Sequence, residues 1–155
     1  MTTPISKVVD NDQAPSPRFL VVDGRIPAPI RQLLEEADGC LNMAFTNGGT
    51  ACARRSVLMI LHTEGIAADD FGARLSSVSA KHPAVSPALF QILELLGQGD
   101  DPLDVHALKA LIVTVKAIVY ELYVLGPERI EHLMYVTEMV KALDRGVKHR
   151  GPKAS

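Results

Sequence analysis

The residues of this 155-residue chain best equipped for chemistry are five histidines, two cysteines and two adjacent arginines, and their spacing narrows what they can do. Glu128 and His132 stand four apart, which places both on one helix face and makes two ligands of a metal site. A carboxylate-bridged bundle needs a companion Glu-x-x-His pair, and the chain has none, so these two are read as a hydrogen-bonded surface pair with no metal or cofactor implied. His106 falls in a first helical turn behind Asp104, where the helix dipole favours the neutral ring, but position alone does not make it a base. Cys40 and Cys52, twelve apart, fit no metal or redox spacing and read as small buried hydrophobes of a reducing compartment. No nucleophile elbow, phosphate loop, His-Glu-x-x-His or dinucleotide fingerprint occurs. Gly48-Gly49-Thr50 opens a helix whose free N–H groups are able to receive an anion, though a tight turn is the plainer reading.

Arg54 and Arg55 carry more information. Successive helix positions point about 100° apart, and Ala51, Leu58 and His62 share the face of Arg55, so one of the two arginines is expected to be partly covered. The structural expectation is an ion pair with Glu35 or Glu36 of the preceding helix. The functional expectation is a bidentate contact to a phosphate or to a partner's carboxylate.

These side chains have to be positioned by helices. The most apolar stretch, Asp104 to Leu125, has apolar residues around nearly its whole circumference, so it reads as a core helix capped by Asp104, stopped by Gly126-Pro127 and wrapped by its neighbours. Its charges at Lys109, Lys116 and Glu121 are too central for a bilayer. Upstream, Ile30, Leu33, Leu34, Ala37, Leu41, Ala44 and Phe45 make one amphipathic face, ended by Asn47-Gly48-Gly49, after which Thr50 is expected to cap a second helix running to about His62. So short a turn predicts an antiparallel hairpin. A third helix follows Asp69-Asp70 and ends at His82-Pro83, and a fourth follows Ser86-Pro87 and closes at Gly97. After Pro127, Ile130, Leu133, Met134, Thr137, Val140 and Leu143 outline a last amphipathic helix ending at Gly146. Phe19 to Val22 is either one strand of an isolated pair or an extended latch.

Composition agrees with helices. The chain is 47% hydrophobic with only 5% aromatic residues and no Trp, which implies an aliphatic core, and its length suits one domain. The net charge of −2 conceals +4 on the last eleven residues and −6 on the rest, and an acidic body is a poor surface for duplex nucleic acid. With no signal-peptide pattern and no long uncharged apolar run, a cytoplasmic protein without membrane contact is expected. The expectation is an all-α compact bundle of about six helices, built on the antiparallel hairpin and the central apolar helix. Residues 1–17 read as a flexible leader, 18–146 as a single helical domain and 147–155 as a basic flexible tail.

One segment carries a family resemblance. The acidic amphipathic helix, then Cys40-Leu41-Asn42-Met43-Ala44-Phe45, a glycine turn and Ala51-Cys52-Ala53-Arg54-Arg55-Ser56-Val57-Leu58, resembles the opening helical hairpin of the bacterial family known as domain of unknown function 4145, a relative of the HEPN superfamily. The likeness extends more loosely through Glu94-Leu95-Leu96-Gly97-Gln98, covering about residues 25 to 125. It implies a dimeric all-α domain in a superfamily that includes endoribonucleases, toxins and antiphage proteins. Nuclease members carry an arginine, a polar residue and a histidine four to six positions after the arginine, in the loop that corresponds here to Glu94 to His106. This chain has no arginine between Arg74 and Arg129, and Asp100-Asp101-Pro102 replaces the stretch that would supply the histidine, so the cation needed at phosphorus is missing.

The resulting expectation is a non-catalytic HEPN-like interaction or regulatory module, a homodimer with a further protein partner. The alternative is an RNA- or nucleotide-directed protein whose site has moved to Arg54, Arg55 and His106.

Overall fold

The structure, a computed structural model, describes residues 16–149. The expected leader lies almost wholly outside the described residues, as do residues 150–155 of the expected tail. Six α-helices follow one 3-10 turn: α1 (Ala28–Asn42), α2 (Thr46–Thr63), α3 (Phe71–Lys81), α4 (Pro87–Leu96), α5 (Val105–Tyr120) and α6 (Gly126–His149). No strand occurs among the described residues. The Phe19–Val22 run is a 3-10 turn at Arg18–Leu20 leading into extended chain, with Phe19 and Val22 packed on the core, as the latch alternative expected.

The core is aliphatic. Leu108, Leu111, Ile112, Val115, Ile118 and Val119 of α5 are buried against Ile30 and Leu34 of α1, Val57 and Leu61 of α2, and Phe90 and Leu93 of α4. Asp104 caps α5 as expected, its Oδ1 accepting the Ala107 N–H at 2.7 Å. Asp70 caps α3 in the same way through Ala73. Lys116, buried in the middle of α5, donates to Asp38 Oδ2 of α1 at 2.6 Å, so the charge that argued against a bilayer is satisfied inside the bundle.

At two glycine sites the structure departs from the turn and the stop that the sequence suggests. Asn47-Gly48-Gly49 does not end α1 but lies in the first turn of α2, and the chain turns earlier, through Ala44 at φ +56°. Ala44 and Phe45 consequently leave the buried face and are exposed. A Cβ on Gly49 would stand 2.6 Å from Leu108 Cδ2 and 3.3 Å from Cys40 Cβ, so the glycine lets α1, α2 and α5 approach closely.

Gly126-Pro127 does not stop the central helix either. A π turn at Glu121–Leu125 joins α5 to α6, with Glu121 O accepting the Gly126 N–H. The wider ring opens space where the Pro127 pyrrolidine would otherwise strike the carbonyl one turn earlier, and Gly126, lacking a Cβ, escapes much of the pre-proline restriction on helical backbone. Helix α6 then continues past Gly146 to His149. The expected six separate helices are therefore five rods, the fifth running unbroken from α5 into α6 for about 67 Å at 1.5 Å per residue.

Candidate functional site

Two regions compete for function: the cleft at Arg54 and Arg55, and α6. In the first, Thr50 and Arg54 lie one turn apart on α2 and face the loop between α4 and α5. The Thr50 hydroxyl accepts the Leu103 N–H at 3.0 Å. Arg54 donates from Nε to Leu96 O at 3.1 Å and from Nη1 to Gly99 O at 2.9 Å and Asp101 O at 2.6 Å. Leu96 O belongs to the end of α4, where the helix dipole attracts a cation, and Gly99 holds the φ of +110° that turns the loop towards the guanidinium. Arg54 is thus the covered arginine, and carbonyls hold it in place of the expected carboxylate of Glu35 or Glu36. Glu36 instead accepts from Cys52 Sγ at 3.4 Å.

Arg55 is exposed and makes no ion pair among the described residues. It lines a cleft of about 390 Å³ with Asn47, Thr50, Arg54, Gly99 and Asp100. Asp100 on the rim opposes an anion there. His106 is exposed in the first turn of α5 and does not line the cleft, so the structure brings together two of the three candidate residues and leaves the third outside. Cys40 and Cys52 are half-buried on α1 and α2, and burial followed by the Glu36 carboxylate pushes the Cys52 thiol up, away from the reactive thiolate.

The second region is α6. From Arg129 to Lys148 every residue is exposed, and the only substantial packing of α6 among the described residues is on the π turn. Leu133 is 65% exposed, Val140 59%, Leu143 71% and Val147 63%. Ile130, Met134, Tyr135, Val136 and Met139 are exposed beside them. The root of α6 is held by the buried Leu122 and Val124 of the π turn, and exposed ion pairs add to it. Arg25, before α1, donates to Glu128 Oε1 at 2.7 Å while its Nε and Nη2 hold Asp23 at 3.0 Å, which pulls the Asp23 carboxyl down to about 2. Arg129 reaches back across the π turn to Glu121 at 2.8 Å. Glu128 is therefore committed to Arg25, and among the described residues no cluster of three metal-ligating side chains occurs.

A third cluster, missed in the sequence, underlies the joint. Glu64, at the end of α2, lies 3.0 Å from His82 Nε2 and 3.4 Å from Lys81 Nζ at the end of α3. The Tyr123 hydroxyl in the π turn is buried beside this carboxylate without a well-formed hydrogen bond, and burial, then the Glu64 charge and a weak hydroxyl–carboxylate contact, pushes its pKa up to about 12. Glu64 and His82 carried only helix-end signals in the sequence. A tyrosine set among Leu122, Val124 and Leu125 is the one available hint.

No known protein family, curated protein or solved structure matches the chain. No described helix is long and apolar enough to cross a membrane.

Proposed function

We propose that this protein is a non-catalytic, HEPN-like helical module that works by protein–protein interaction, with α6 as its docking face. The exposure of nine large apolar side chains along a helix rooted in the body through the buried Leu122 and Val124 of the π turn carries this reading. Isolated helices are marginal in water, and most helices in proteins owe their stability to a packed apolar face. A contiguous apolar stripe of this length is the mark of an interaction surface.

The resemblance of residues 31–61 to the domain of unknown function 4145 family supports the HEPN-like part of the reading, and the missing arginine and histidine motif supports a non-catalytic role. For the alternative, an RNA- or nucleotide-directed site, the one favourable feature is the cleft containing Arg55. Against it stand an Arg54 with three of its five N–H donors engaged by carbonyls, Asp100 on the rim and a His106 that lies elsewhere.

A photo-crosslinking amino acid at Met139, introduced in the native cell, tests the docking face. The expected result is a discrete adduct of higher mass that disappears when Leu133→Glu and Leu143→Glu are combined. The absence of any adduct would contradict the reading.

A further inference from the structure

Resting on that reading of α6 as a docking face, we infer that its occupant is α6 of a second copy of this chain, packed antiparallel and centred at the level of Glu138. The first observation is spacing. Leu133, Val136, Val140, Leu143 and Val147 recur at alternating steps of three and four, the seam of a two-stranded coiled coil, and all five are exposed. Glu131, Glu138 and Arg145 fall on the opposite side of the helix, where a coiled coil meets solvent. A two-fold axis at the level of residue 138 sets Leu133 of one protomer against Leu143 of its partner, and Val136 against Val140. The stripe is therefore complementary to its own copy, as an isologous interface requires.

The second observation is charge. On either side of the axis at Glu138, residues 126–137 carry Glu128, Arg129 and Glu131 and net −1, while residues 139–148 carry Lys141, Asp144, Arg145 and Lys148 and net +2. Antiparallel packing sets each acidic half beside a basic half, whereas parallel packing sets like beside like. Because Glu131 and Arg145 lie on the solvent side, the gradient is a weak, screened term that bears on orientation and not on strength. The third observation is shape. An apolar recess of about 430 Å³ at the root of α6, lined by Leu125, Glu128, Arg129, His132, Leu133 and Val136, lies where the antiparallel register delivers the partner's Leu143 and the partner's Val147.

Spin labels on the solvent side of α6 test the arrangement. Glu131→Cys, Glu138→Cys and Arg145→Cys are each introduced into the full chain with Cys40→Ala and Cys52→Ala, and the distance between the two labels of a dimer is measured by pulsed electron resonance. Mass in solution is measured by light scattering on the unlabelled protein and on the combined Leu133→Glu and Leu143→Glu variant.

The expected mass is twice the 16.7 kDa of one chain, falling to one chain in the double glutamate variant with at least a tenfold rise in Kd. A retained thermal transition in that variant shows that the body remains folded. The label distance should be shortest at 138 and longer, by the same amount, at 131 and 145, because those sites are offset along the axis by about 21 Å. Equal distances at all three sites overturn the antiparallel arrangement. A monomeric wild-type protein overturns the second copy as occupant while leaving the docking face standing. A dimer unaffected by the two glutamates overturns the docking face itself.

Discussion

Helices α5 and α6 are two halves of one rod with opposite surroundings. In α5, Leu108, Leu111, Ile118 and Val119 are sealed by the body and even Lys116 is buried against Asp38. In α6, Leu133, Val140 and Leu143 are mostly exposed. The two halves have similar backbone geometry and both carry many aliphatic residues, so what separates them is the supply of neighbours. Helices α1, α2 and α4 cover α5, and nothing in the described chain covers α6 beyond its root.

The largest effect that would sharpen the contrast is Leu111→Ala. Removing a fully buried leucine should cost about 2–5 kcal/mol in urea unfolding. Leu133→Ala, measured in dilute protein where chains do not associate, should stay within about 0.5 kcal/mol of wild type. Equal losses from the two would break the contrast by showing that α6 is held by its own body.

Glycines give the next test. Gly49→Ala forces a methyl group into Leu108 and should destabilise by about 1–3 kcal/mol in the same assay. Gly146→Ala on α6 meets no atom within 4 Å and should strengthen that helix by roughly 0.5–1 kcal/mol, read as added helical circular dichroism. Close behind comes Arg54→Ala, which frees three carbonyls. It should cost about 1–3 kcal/mol and speed hydrogen exchange across residues 97–103, while Arg55→Ala stays near neutral. Losses of equal size in the two arginine variants would place Arg55 in the structure as well.

The smallest effect lies at the joint. The folded-state pKa of Tyr123 is raised to about 12, above the ordinary value of about 10, so stability is fully present below pH 10 and is lost as pH rises from 10 towards 12. Tyr123→Phe should remove that alkaline loss, eliminate a tyrosinate absorbance step near pH 12, and leave neutral-pH stability unchanged or improved by up to about 1 kcal/mol. A marked loss at neutral pH would show that the contact with Glu64 is a full hydrogen bond.

The helical class, the aliphatic core and the Asp70 and Asp104 caps were legible because they are local: periodicity identifies a face, and a cap needs only its own first turn. Two of the failures, at Gly49 and Arg54, were non-local, while those at Gly126-Pro127 and Gly146 turn on local backbone geometry. Gly49 looks like a turn unless Leu108, far along the chain, is known to press on it. Gly126-Pro127 looks like a stop unless the π turn before it is allowed for. That one of Arg54 and Arg55 is covered is legible from their adjacent helix positions, but the partners of Arg54 are backbone carbonyls, which carry no residue-type signal at all. The apolar face of α6 was equally visible, yet periodicity shows only that a face needs covering and never which chain covers it.

The central claim is that α6 is a packed helix in the working protein, and hydrogen exchange across residues 130–147 as a function of protein concentration tests it most directly. Protection that climbs with concentration towards that of α5, and falls away in the Leu133→Glu and Leu143→Glu variant, is the expected result. Exchange in α6 at the rate of an unstructured chain at every concentration, while α5 stays protected, would contradict it.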